Sequence, residues 1–110
     1  MKATVAFSDF SRLELRVGTV AHAELVAGAE DLLRLEVDLG EEEKRQLVAG
    51  LAKTHPEEDL VGKQVVVVVN LEPKEFRGIL SHGMLLCADV EGKPVLLSPS
   101  QSVPAGTLVR

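Results

Sequence analysis

Leu33, Leu35, Val37 and Leu39 alternate with Arg34, Glu36 and Asp38. Successive side chains of a strand point to opposite faces, so this segment predicts a half-buried strand. Leu13, Leu15 and Val17 alternate in the same way with Arg12, Glu14 and Arg16. Gly18 interrupts that run and is expected to mark a bulge or bend, with Val20 to Val26 continuing one long curved strand. Arg45 to Gly50 predicts a third strand, joined to the second by the charged turn Gly40-Glu41-Glu42-Glu43. Val65 to Val69 is an unbroken apolar run, as a fully buried strand requires. Leu85 to Ala88 predicts a fifth strand, and the turn Glu91-Gly92-Lys93 precedes Val95-Leu96-Leu97. Pro99, Pro104 and Gly106 punctuate the tail. Helical signals are short. Ala6 to Phe10 suits one turn that packs a Phe as a plug. Ala52 to Asp59 suits a short helix capped by Thr54, with Pro56 in its first turn.

The predicted order is two or three strands, a short helix, then two or more strands. This is an all-β pattern. It suits a small five-stranded barrel of the oligonucleotide- and oligosaccharide-binding type, the OB-fold, with its one short helix between strands 3 and 4. Closing the sheet removes exposed edges, which matters in a chain so rich in Val and Leu. On pattern alone, another small barrel or a sandwich fits about as well. The barrel is expected over about residues 8–88, with a C-terminal extension over about 89–110.

At 110 residues the chain suits one domain with a single core. Aromatic residues are limited to Phe7, Phe10 and Phe76, so few flat surfaces exist for stacking bases. The net charge of −5 argues mildly against indiscriminate binding to a polyanion, although phosphate contacts need local cations and not a basic total. Cys87 is the single cysteine, lies in an apolar run and suits a buried, inert thiol in a reducing cytosol. No basic segment followed by an apolar stretch opens the chain, and no apolar run approaches a membrane span.

Several chemistries find no support. His22, His55, His82 and Cys87 lack the close spacing of a metal site. Ser81-His82-Gly83 has part of a nucleophile turn, but Ile79 stands where its leading glycine should be, and a strand follows in place of a helix. The paired acids Glu30-Asp31, Glu41 to Glu43 and Glu57 to Asp59 sit in turns or the helix, as solvated charge runs do. No phosphate-cradling glycine loop is present. The expectation is a protein without catalytic residues, metal or cofactor.

The segment Asn70 to Ala88 is the most distinctive. The valine run delivers the chain to a polar loop carrying Asn70, Lys74, Arg77, Ser81, His82 and Met84. Binding residues favour loops held by rigid strands. In an OB barrel the strand 2–3 face and its neighbouring loops form the groove. Arg34, Arg45, Lys53, Lys74 and Arg77 could there track a phosphate backbone. Each also has an ordinary reading. Arg34 is equally placed for an ion pair with Glu36, Asn70 for stabilising a turn, and Met84 for the core.

These residues resemble the tRNA-binding OB domain appended to bacterial methionyl-tRNA synthetases, which is similar to free-standing dimers and to CsaA-type export chaperones. The matching text includes Phe10 to Gly18, Leu32 to Asp38, Arg45 to Ala52 and Leu60-Val61-Gly62-Lys63. It continues with Asn70-Leu71, Pro73-Lys74, Gly78, Ser81 and Gly83-Met84-Leu85-Leu86. The resemblance implies a non-catalytic domain that binds tRNA by shape and backbone, with Asn70, Lys74, Arg77, Ser81, His82 and Met84 on or near the RNA-facing surface. It further implies a homodimer built by the C-terminal segment, and an aminoacyl-tRNA synthetase as a partner. Three positions depart from the family's usual text: Asp31 replaces a lysine, Ala49 a serine, and His82 a Glu or Gln. The CsaA likeness leaves a second expectation, an export chaperone that binds unfolded polypeptide.

Overall fold

A computed structural model describes all 110 residues. Helix α1 (Phe7–Ser11) precedes strands β1 (Leu15–Leu25), β2 (Leu33–Asp38) and β3 (Arg45–Ala49). Helix α2 (Glu57–Leu60) then leads to β4 (Gln64–Val68). Strands β5 (Lys74–Phe76), β6 (Ile79–Ser81), β7 (Met84–Leu85), β8 (Cys87–Val90), β9 (Lys93–Leu96) and β10 (Leu108–Val109) complete the chain. The barrel sheet runs β3-β2-β1-β4-β7, all antiparallel. It nearly closes where β3 lies against β6 and β7. This is the five-stranded OB barrel, with its short helix between β3 and β4.

β1 is the pivot. Its first half pairs with β4, its second half with β2, and Thr19 faces Gln64 on one edge and Asp38 on the other. The register slips between Val20 and His22, so the bulge falls after Gly18 and not on it. Gly18 has a different duty. A Cβ there would stand 2.4 Å from Val37 Cγ1, so only glycine lets β1 cross β2 this closely.

The alternating residues fill the core as their period requires. Leu33, Leu35 and Val37 are fully buried, beside Val20, Leu47, Leu51, Leu60, Val65 and Val67. Each such side chain contributes about 1.5–3 kcal/mol on leaving water. At the seam, Gly83 has φ +152°, and a Cβ there would lie 3.0 Å from Leu47 Cδ2 and from the Val68 carbonyl oxygen. The barrel therefore closes tightly over a position where a side chain would be strained and would crowd Leu47 and the Val68 carbonyl.

Several expected details differ. The first helix forms but plugs nothing: Phe7 is 79% and Phe10 42% exposed. Thr54 does not cap α2. Its hydroxyl bonds to the Leu51 carbonyl, and Pro56 takes the cap position without a side-chain bond. The fifth strand is split. Met84–Leu85 belongs to the barrel, whereas Cys87–Val90 pairs with β9 in a separate hairpin. The polar stretch before it holds a further hairpin, β5–β6. The tail returns to the barrel, with β10 pairing Leu15 and Arg16 of β1. Gln64 fastens the strap between, donating from Nε2 to the Val103 carbonyl and accepting the Val103 N–H.

Candidate nucleic-acid interface

The polar segment after the valine strand is built from inside outwards. Asn70 anchors its start. Its Oδ1 accepts the Glu14 N–H at 2.8 Å, and its Nδ2 donates to the Arg12 carbonyl at 2.7 Å. Ser81 anchors its end. It is only 3% exposed; its Oγ accepts the Val48 N–H and donates to the Gly83 carbonyl, both at 3.0 Å. The His82 N–H reaches the Gln46 carbonyl, which continues the pairing of this segment along β3. Asn70 and Ser81 thus use their polar atoms inside the chain and hold the hairpin between them in place.

The hairpin turns at Arg77-Gly78, both with positive φ, at +53° and +84°. This is the tight turn that matches strand twist and ordinarily favours Asn-Gly. Arginine is an unusual choice at a left-handed position. Phe76 and Ile79 pack on Val26, Ala29 and Val48, so the hairpin is fastened to the β1–β2 loop. Arg77 extends over that loop, its Nη1 3.8 Å from where a Gly28 Cβ would stand. Lys74 lies 5.1 Å from the centre of the Phe76 ring, within cation–π range. Lys53 stands beside Glu30 of the same loop at 3.9 Å.

Two clefts flank this structure. One, of about 440 Å³, is lined by Val48, Leu71, Phe76 and Met84, with Glu72 and Lys74 at its polar side. Met84 is 51% exposed, so it lines this surface and is not core. The other, of about 780 Å³, lies over the β2–β3 face. There Arg34, Lys44 and Arg45 meet Glu36, Glu41, Glu42 and Glu43, with His82 at the border.

The groove arginines are already engaged. Arg34 Nε donates to Gln46 Oε1 at 2.7 Å, and its Nη1 to Glu24 and Glu36 at 2.9 and 3.0 Å. Arg45 grips Glu41 with Nε and Nη2 at 3.2 and 2.8 Å. Its Nη1 donates to the carbonyls of Val69 and His82 at 2.6 and 3.1 Å. The ion pairs of the molecule involve Arg16, His22, Arg34, Arg45 and Lys53. Lys74 and Arg77 stand outside them. The structure therefore brings Lys74 and Arg77 to one hairpin, Met84 to the strand beside it, Lys53 to the adjoining rim, and Arg34 and Arg45 to a separate, acid-balanced face that His82 borders. Cys87 is partly buried, and burial pushes its thiol above the usual range, which keeps the thiolate scarce.

Comparison with known proteins settles the family. A family model described as "Putative tRNA binding domain" matches residues 15–108. The chain belongs to that tRNA-binding domain family. It is 55% identical over 109 residues to the methionine–tRNA ligase of Methanothrix thermoacetophila, and 45% identical over 106 residues to methionine–tRNA ligase 1 of Bacillus anthracis. These matches cover 99% and 96% of the chain but only 16% of either ligase. The chain thus spans about one-sixth of the curated relatives it matches. Among solved structures, the MetRS related protein of Pyrococcus horikoshii superposes with a TM-score of 0.91 at 38% identity, covering 99% of this chain and 100% of that one. The chaperone CsaA of Bacillus anthracis str. Ames superposes at 0.89 with 40% identity, covering 98% and 100%. This tRNA-binding domain is thus related to the appended domain of methionyl-tRNA synthetases.

Proposed function

We propose that this tRNA-binding domain acts without catalysis, recognising tRNA by shape and phosphate backbone at the β5–β6 rim. The observation that carries the reading is the contrast between cations. Arg34 and Arg45 face carboxylates, whereas Lys74 and Arg77 project from a firmly anchored hairpin without an acid partner. Lys53 extends this rim, Met84 supplies an apolar contact beside it, and His82 borders it. Asn70 and Ser81 set the shape of the hairpin through their bonds within the chain. Backbone recognition releases counterions, so binding should weaken steeply with salt. The test is a gel-shift titration with total tRNA at low and moderate salt, comparing the wild type with a Lys74→Gln/Arg77→Gln double variant. The double variant should bind more weakly and with a shallower salt slope. A flat salt response of the wild type, or no binding at low salt, refutes the reading.

The domain is further proposed to work in the cytosol as a homodimer, with an aminoacyl-tRNA synthetase as partner. Support for the dimer is the apolar surface where the two termini meet: Phe7, Phe10, Leu13 and Leu108 are all exposed and adjoin one cleft of about 410 Å³. Support for the synthetase is the likeness to a segment of methionine–tRNA ligases.

A second reading, a chaperone for unfolded polypeptide, is favoured by the apolar cleft of Val48, Leu71, Phe76 and Met84 and by the likeness to the chaperone CsaA. It predicts suppression of aggregation of an unfolded client, insensitive to salt and lost in Met84→Glu.

A further inference from the structure

We infer that Arg45 is a latent phosphate-binding site, and that the Glu41 carboxylate is its built-in, displaceable occupant. The inference rests on the proposal that the ligand is an RNA backbone. The guanidinium of Arg45 does two separable jobs. Its Nη1 is held by the Val69 and His82 carbonyls, which come from the two ends of the β4–β7 connection. That grip fixes the group in space without help from any carboxylate. The remaining edge, Nε and Nη2, forms the planar fork that fits a carboxylate or a phosphate side-on with two parallel bonds. Glu41 fills this fork, with one oxygen on each nitrogen. A phosphate would need the same two donors.

The occupant is attached more loosely than the site. Residues 40–44 are all exposed, Gly40 turns with φ +78°, and the Glu41 side chain is 46% exposed. Ion pairs of this kind contribute little net stability, so a backbone phosphate of similar charge can compete. Arg34 differs, because two carboxylates, Glu24 and Glu36, share it and removing either leaves the other. Arg45 lines the broad cleft together with Lys44 and His82, and His82 sits five residues beyond Arg77 in the chain, at the β6–β7 connection. A strand bound at the hairpin rim could thus continue onto the β2–β3 face once Glu41 swings away. In this arrangement the acidic turn sets how far the footprint extends.

The test uses the full chain, total tRNA as the probe, and three matched neutralisations: Glu41→Gln, Glu42→Gln and Glu43→Gln. Each removes one charge from the same turn, but only the first breaks the two-oxygen grip on the fork, since a glutamine amide can accept from one of its donors and not from both. Glu41→Gln should bind about three- to fivefold more tightly at low salt, and its salt slope should steepen by about 0.7–0.9, as one added phosphate contact requires. Glu42→Gln and Glu43→Gln should change affinity by less than about twofold. Adding Arg45→Lys to Glu41→Gln should remove the gain, because lysine lacks the fork. Equal gains from all three neutralisations overturn the inference, since only net charge would then matter. An unchanged Glu41→Gln with a binding wild type overturns it and leaves the rim reading standing. Binding by Glu41→Gln but not by the wild type supports the latent site and refutes the rim. No binding by either refutes both. Thermal melts of each variant confirm that the fold is kept.

Discussion

Replacing Arg77 by asparagine should make the protein more stable and a poorer ligand for tRNA at the same time. Arg77 holds φ at +53° at the first central position of the β5–β6 turn. Left-handed backbone costs an ordinary L-residue about 1–2 kcal/mol, and asparagine tolerates it best among residues with a side chain. The Arg77 side chain is exposed and belongs to no ion pair, so little is lost with it. Relief of the turn should therefore raise stability by about 0.5–1 kcal/mol, or at least about 2–4 °C in Tm for a domain of this size. The molecule supplies its own control. Glu91, at the tip of the β8–β9 hairpin, has φ +52° and is likewise followed by a positive-φ glycine, Gly92. Glu91→Asn should stabilise to a similar degree. The two variants should part in a gel shift: Arg77→Asn should lose one phosphate contact and flatten the salt slope by about 0.7–0.9, whereas Glu91→Asn should not weaken binding. Equal tRNA affinity and equal slopes for the wild type and Arg77→Asn would show that the strained arginine is not an RNA contact.

Ser81→Ala should destabilise the fold by about 1–3 kcal/mol in urea titration, because the buried Val48 N–H loses its acceptor, while tRNA affinity of the folded fraction stays unchanged. Asn70→Asp places a carboxylate against the Arg12 carbonyl in place of a donor. It should cost about 1–3 kcal/mol, with N-terminal amides exchanging hydrogen faster. Gly18→Ala should cost about 1–3 kcal/mol or more from overpacking against Val37, read as a lowered Tm. Phe10→Glu combined with Leu108→Glu should yield monomers by sedimentation at concentrations where the wild type is dimeric, and unchanged sedimentation would remove the terminal surface from the dimer proposal.

Much of the barrel was legible in the sequence because burial on one face imposes a period of two. Leu33, Leu35 and Val37 obey it and lie fully inside, whereas the valine run, expected to be buried throughout, buries Val65, Val67 and Val68 but leaves Val66 and Val69 half-buried. The β5–β6 hairpin was not legible. Lys74-Glu75-Phe76 is too short and too polar to alternate, and it is held by packing on Val26 and Val48, far away in the chain. β10 is two residues long and owes its place to a partner at the other end of the sequence. The charged residues were visible by type, but their states were not. Arg34 meets Glu24 only because of the β1–β2 register, and Arg45 meets Val69 and His82 only because the barrel closes. Asn70 showed no sign of its two bonds to the Arg12–Glu14 backbone, which lies 56 and 58 positions away.

The return of the tail to β1 has a kinetic consequence. Arg16 donates to the Gly106 carbonyl across 90 positions of sequence, and Leu15 pairs with Val109. Such distant pairs close late, because the loop entropy must be met before the contact forms. On a ribosome, the first half of β1 would emerge long before the strand that covers its outer edge. Until residues 106–109 arrive, Leu15 to Val17 present an open, apolar hydrogen-bonding edge, to which the same segment of another nascent chain could add. Residues 106–109 therefore act as a lock on this edge of β1.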